Sequence, residues 1–106
     1  MEKAKQYIGL AARAGRVVAG AQAVEMAVRN HKAYLVILDC SSSANTKKKW
    51  EDLCRSNGIK LCHMQDPCRM AGKPGRMCIA VSDAGLAKQI EKQMQIQTEQ
   101  DSGGRG

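Results

Sequence analysis

Ala33-Tyr34-Leu35-Val36-Ile37-Leu38 is an unbroken apolar run that includes β-branched side chains. A half-exposed strand alternates apolar and polar residues. This segment does not, so it reads as a strand buried on both faces, with helices packed above and below it. Toward the N-terminus, Val24, Ala27 and Val28 recur at helical spacing with Gln22, Glu25 and Arg29 among them, and that helix is expected to end near Asn30-His31. Gly20 opens it. Before Gly20 lies the short extended stretch Arg16-Val17-Val18-Ala19, and before that a first helix from Lys3 to Ala14 with Ala4, Ile8, Leu10, Ala11 and Ala14 near helical spacing. Gly15 is placed just past its end.

Toward the C-terminus, Ser41-Ser42-Ser43-Ala44-Asn45 carries turn and capping chemistry, and Trp50, Leu53 and Cys54 mark a third helix that should stop at Asn57-Gly58. Ile59-Lys60-Leu61-Cys62-His63-Met64 alternates as a short strand does. Pro67 suits the first turn of a short helix, Gly72-Lys73-Pro74-Gly75 reads as a loop, and Met77 to Val81 is a further buried strand. Ser82-Asp83 then caps a last helix through Leu86, Ile90 and Met94. Strands alternating with helices imply an α/β/α sandwich of about four strands. The 106 residues suit one core, so residues 1–96 are expected to form a single domain and the polar, glycine-rich residues 97–106 a disordered tail.

Lys and Arg number 17 against 10 Asp and Glu, a formal charge of +7, so a polyanion is the favoured partner. One Trp, two Tyr and no Phe make the core aliphatic and argue against a stacking platform for single-stranded bases. Structured RNA, read by shape and backbone, fits better. No apolar run approaches the ~20 residues that span a bilayer, and Met1-Glu2-Lys3-Ala4-Lys5 leads into a mixed polar helix and not a leader peptide. Five cysteines without a C-x-x-C pair fit a reducing compartment, so the expectation is a cytoplasmic protein with no membrane partner.

Neither G-x-G-x-x-G nor G-x-x-x-x-G-K-[ST] occurs, which removes the main support for a nucleotide cofactor. Cys62, His63 and Cys68 lack a fourth zinc ligand. Cys40 and Cys78, in or at the end of buried strands, should behave as small hydrophobes. His31 and His63 have no acid or nucleophile at local spacing. No catalytic residue, metal or cofactor is therefore expected, and the chain reads as a binding protein and not an enzyme.

Three basic groups remain. Arg13 and Arg16 precede Gly20, so two guanidiniums and the first N–H groups of the second helix could converge on a phosphate; the alternative is that Gly20 only permits a tight turn. Lys47-Lys48-Lys49 opens the third helix against its dipole and reads first as a solvated face. Arg69, Lys73 and Arg76 around the loop are better suited to grip a nucleic-acid backbone.

Tyr7-Ile8-Gly9-Leu10-Ala11-Ala12-Arg13-Ala14-Gly15-Arg16, then Gly20, then Lys32 to Leu38, then Asn45-Thr46-Lys47-Lys48-Lys49 resemble the kink-turn RNA-binding ribosomal protein family of archaeal large-subunit ribosomal protein seven-Ae and eukaryotic ribosomal protein thirty-e, in its bacterial YlxQ-type branch. The likeness covers about residues 2–94. It implies a three-layer α/β/α sandwich with a four-stranded mixed sheet, and binding of a sharply bent RNA internal loop. In that family the start of helix two enters the RNA major groove, and a loop before the last strand covers an extruded base. By position the family glycine is Gly20, and residues typically Asn, Glu and Lys fall on Gln22, Ala23 and Met26. Gln22 retains a base-reading amide, whereas Ala23 cannot accept a hydrogen bond and Met26 carries no charge. The base-covering segment falls on Ala71-Gly72-Lys73-Pro74-Gly75-Arg76. The implied partner is ribosomal RNA or another kink-turn RNA, bound by a monomer, with the ribosome or translation factors nearby. A second expectation is a protein-interaction module that docks through the uncharged Ala23 and Met26 surface.

Overall fold

Leu35, Val36, Ile37 and Leu38 are completely buried, and the pleat of the strand sends them alternately to two different cores. Leu35 and Ile37 pack with Ala4, Ile8, Met64, Cys68, Ile79 and Ile90; Val36 and Leu38 pack with Val24, Val28, Trp50, Cys54, Cys78 and Ala80. A continuous apolar run thus serves two helical layers, as a strand covered on both sides must.

The computed structural model describes residues 2–101, with side chains described from 3 to 94. Its elements are α1 (Glu2–Arg13), β1 (Val17–Ala19), α2 (Ala21–Arg29), β2 (Leu35–Asp39), α3 (Ala44–Ser56), β3 (Lys60–Met64), α4 (Pro67–Met70), β4 (Cys78–Val81) and α5 (Ala84–Asp101). The four strands form one sheet in the order β1-β4-β2-β3. β4 is antiparallel to β1 and to β2, with Val17 opposite Val81 and Leu35 opposite Val81, while β2 and β3 are parallel, with Leu35 opposite Lys60. The molecule is a three-layer α/β/α sandwich on a mixed sheet: α1, α4 and α5 lie over one face, α2 and α3 over the other.

This strand order has a consequence for the surface. β1, β2 and β3 run in one direction, so their C-terminal ends share one edge of the sheet, and α2, α3 and α4 all begin there. β4 enters from the same edge: the Gly20 N–H donates to the Cys78 carbonyl at 2.9 Å, and the Asp39 N–H to the Met77 carbonyl at 2.8 Å. The opposite edge carries Arg16, whose carbonyl accepts from the Ser82 N–H at 2.8 Å. In open α/β sheets the carboxyl ends of the strands are where ligands gather.

Several boundaries differ from the sequence expectation. β2 begins at Leu35 and not Ala33; Tyr34 is 54% exposed and only its N–H joins the sheet, on the Val81 carbonyl. Cys40 lies past the end of β2 and is exposed, not a buried filler, because the strand stops at Asp39, whose carboxylate starts a turn by accepting from the Ser41 N–H at 2.9 Å and hydroxyl at 2.8 Å. α5 continues to Asp101, past Gln97 where the tail was expected to start, and residues 102–106 lie outside the described residues.

Candidate nucleic-acid interface

α2 starts without a side-chain cap. Gly20 is its cap residue, at φ 100° and ψ 148°, a conformation that L side chains rarely adopt. The Gly20 carbonyl takes the Val24 N–H at 2.9 Å, which leaves the first-turn N–H groups of Ala21, Gln22 and Ala23 without an intrahelical acceptor. Gln22 and Ala23 are exposed, and Met26 is 58% exposed. The inward face, Val24 and Val28, is fully buried against the sheet. The first turn contains no acid, so positive helix-dipole charge and free N–H donors face outward together.

The loop after α4 is the second component. Its start is fixed by two crossed hydrogen bonds, Gly72 N–H to the Arg69 carbonyl at 3.0 Å and Lys73 N–H to the Cys68 carbonyl at 2.9 Å, with Gly72 left-handed at φ 73°. Its end is fixed by the Met77 carbonyl on Asp39. Between these anchors Gly72, Lys73, Pro74, Gly75 and Arg76 are all exposed.

The tertiary structure joins the two components. A Cβ built on Gly20 would lie 3.5 Å from both Cδ and Nε of Arg76, so the Arg76 side chain crosses the start of α2. A guanidinium with five donors therefore stands beside three unsatisfied backbone N–H groups. The Cys78 carbonyl ties the pieces from below: it accepts from the Gly20 N–H and, at 3.4 Å, from the Cys68 thiol.

Arg13 and Arg16 are placed differently from the expected convergence on Gly20. Arg16 sits at the far end of β1, some 13 Å from Gly20 at ~3.3 Å per strand residue. Arg13, in the last turn of α1, lines a shallow groove with Gly9, Ala12, Met70, Ala71 and Gly72, and so stands beside the other end of the basic loop. Sequence proximity misled here, because β1 carries the chain from one edge of the sheet to the other.

The third basic segment gains from the fold. Read from sequence as a solvated face, Lys47 to Lys49 in α3 lie near the edge that holds Gly20 and Arg76, and Lys49 Nζ is 3.9 Å from Glu25 Oε1 on α2. The strand-then-helix alternation was the signal available: helices that follow parallel strands begin at the same edge.

Four of the five cysteines are shielded. Cys54, Cys68 and Cys78 are buried and Cys62 half-buried. Burial pushes the Cys54, Cys62 and Cys68 thiols up to about 11 and the Cys78 thiol to about 12, which keeps them neutral and poorly nucleophilic at neutral pH. Among the described residues no cluster of three or more His, Cys, Asp or Glu is placed to hold a metal ion. His63 Nε2 is enclosed with no hydrogen-bond partner among the described residues. Among the described residues no helix is long and apolar enough to cross a membrane.

The α/β/α domain thus sets an uncapped helix start and a basic loop at one edge of its sheet, an arrangement chemically suited to anions. Residues 2–92 match the model of the ribosomal protein L7Ae/L30e/S12e/Gadd45 family, and the chain belongs to that family. It is 36% identical over 86 residues to the RNA-binding protein YlxQ of Bacillus subtilis (strain 168), covering 78% of this chain and 86% of that protein. To the RNA-binding protein YlxQ of Enterococcus faecium it is 34% identical over 101 residues, covering 86% and 90%. A solved structure of a protein with unknown function from Bacillus halodurans C superposes with a TM-score of 0.80 at 35% identity, covering 85% of this chain and 94% of that one. The Giardia lamblia 15.5kD RNA binding protein superposes with a TM-score of 0.70 at 14% identity, over 87% and 84% of the two chains, a likeness of fold.

Proposed function

We propose that this chain binds structured RNA without catalysing a reaction on it, and that its target is a sharply bent, kink-turn-like internal loop, in ribosomal RNA or a ribosome-associated RNA of the cytoplasm. The observation that carries this reading is the Arg76 side chain lying across Gly20 at the uncapped start of α2. Backbone N–H groups and a guanidinium together suit phosphate oxygens, and the Gln22 amide beside them suits a base edge. Family membership and two relatives named RNA-binding proteins support the same reading.

Titration of the protein into a kink-turn RNA and into a plain duplex of equal length, each across a range of salt, tests it. Tighter binding to the kink-turn is expected, with affinity falling steeply as salt rises. Equal affinity for the two RNAs, or binding indifferent to salt, would overturn it. A second reading rests on Met26, 58% exposed beside Ala23 with no charge on either: this strip of α2 suits a protein partner in ribosome assembly or translation. A complex with such a factor that survives nuclease treatment and is lost in Met26→Asp would favour the second reading.

A further inference from the structure

Lys47 and Lys48 gain little within the fold. α3 begins at Ala44 behind the Ser43 hydroxyl, which accepts from the Thr46 N–H at 3.2 Å, its first turn has no acid, and the two lysines follow directly after that turn, toward the end of the helix where the dipole disfavours cations. Lys49 has internal partners, the Glu25 carboxylate on α2 at 3.9 Å and the Trp50 ring, whose centroid is 6.0 Å from its Nζ. Lys47 and Lys48 make no ion pair among the described residues.

Their position supplies what their local energetics lack. The end of β2 and the turn that leads to α3 each touch the residue that closes the basic loop, through the Asp39 N–H on the Met77 carbonyl at 2.8 Å and the Ser42 hydroxyl on Met77 Sδ at 3.9 Å. α2 and α3 cover the same sheet face and are linked by Lys49 and Glu25. Packed helices lie ~8–10 Å apart, and a duplex carries one negative charge per ~1.7 Å of axis. A duplex stem that leaves the Gly20 and Arg76 site toward α3 therefore presents several phosphates to the lysines.

We infer that Lys47 and Lys48, steadied by Lys49, form a second phosphate-binding patch for the same RNA, gripping the backbone of a stem that flanks the bent loop. The inference rests on the RNA-binding reading above. Because the patch meets phosphates, it adds affinity and salt dependence and carries no base selectivity.

The test compares K47Q/K48Q with K88Q/K92Q, an equal charge change on exposed positions of α5 in the opposite layer. Both are titrated with a kink-turn RNA that has a long flanking stem, with the same RNA cut close to the loop, and with a plain duplex. K47Q/K48Q is expected to bind the long-stemmed RNA several-fold more weakly at low salt, with a log–log salt slope shallower by roughly 1.8, at about 0.9 for each phosphate that a lysine no longer neutralises. The weakening should vanish on the shortened RNA, and K88Q/K92Q should stay within twofold of the parent protein. An unchanged or raised melting temperature for K47Q/K48Q shows that its fold is intact. Equal behaviour of the two double variants on the long-stemmed RNA would overturn the patch. Failure of the parent protein to prefer the kink-turn over plain duplex would instead overturn the selectivity assigned to Gly20 and Arg76, and the slope difference on plain duplex would still decide the patch.

Discussion

The start of α2 and the loop from Gly72 to Arg76 face the same edge of the sheet and meet it with opposite means. α2 contributes backbone: free N–H groups, a glycine conformation, and the small or uncharged side chains Gln22, Ala23 and Met26. The loop contributes charge, with Lys73 and Arg76 on a backbone pinned at both ends. Backbone donors are rigid and already paid for by the helix, whereas cations on a loop reach outward and follow a polyanion. Affinity should therefore reside mostly in the loop and geometry mostly in α2.

The largest expected effect is at the point where they meet. Gly20→Ala places a Cβ on a backbone held at φ 100°, and the strain should cost ~1–3 kcal/mol of stability in a urea titration. An unchanged midpoint would mean that α2 can start another way and that Gly20 does not set its geometry. Next comes Arg76→Ala, expected to lose roughly ten- to a hundredfold in RNA affinity, on the order of the ~1.5–3 kcal/mol carried by a hydrogen bond to a charged group, and to flatten the salt slope by ~1. Gln22→Ala should weaken binding with no change of slope, since the amide is neutral, and Lys88→Ala on α5 should do neither; three equal effects would dissolve the contrast between the regions.

Met26→Lys adds a cation to the backbone half. An RNA affinity gain of a few-fold is expected from one added phosphate contact, with stability unchanged because the position is exposed. A weaker complex would assign that strip to an apolar partner.

The smallest effect is expected from alkali at the loop anchor. Cys68 is protonated in the fold up to about 11, against an ordinary 9.0, so the fold binds a proton that the unfolded chain has released between those values. The stability it contributes is complete below pH 9 and lost as pH rises through 11, along with the thiol donor to the Cys78 carbonyl. Melting temperatures measured from pH 7 to 11 should therefore fall only above pH 9, and Cys68→Ala should lessen that fall. At pH 8 a thiol reagent should modify exposed Cys40 before the other four.

Much of the fold was legible because its signals are local. The apolar run at Leu35 to Leu38, the helical spacing of Val24 and Val28, and Gly15 and Gly58 after α1 and α3 each follow from a pattern within a few residues. Tyr34 and Cys40 were misjudged because apolar character extends past the hydrogen-bonded strand at both ends, and only pairing with β4 and the Asp39 turn show where it stops. At the site, Gly20 and Arg76 were each identified from sequence, but as members of separate segments.

By itself the sequence determined the layer order, the net positive charge, an aliphatic core and the identity of the basic segments, since these depend on composition and short-range periodicity. Which basic segments share a surface was decided only by tertiary structure. β1, β2 and β3 point the same way and β4 runs against them, so Gly20, Arg76 and Lys47 gather near one edge while Arg16, four residues from Gly20, is carried to the other. Strand direction is set by pairing across the whole chain, and no local stretch of residues contains it.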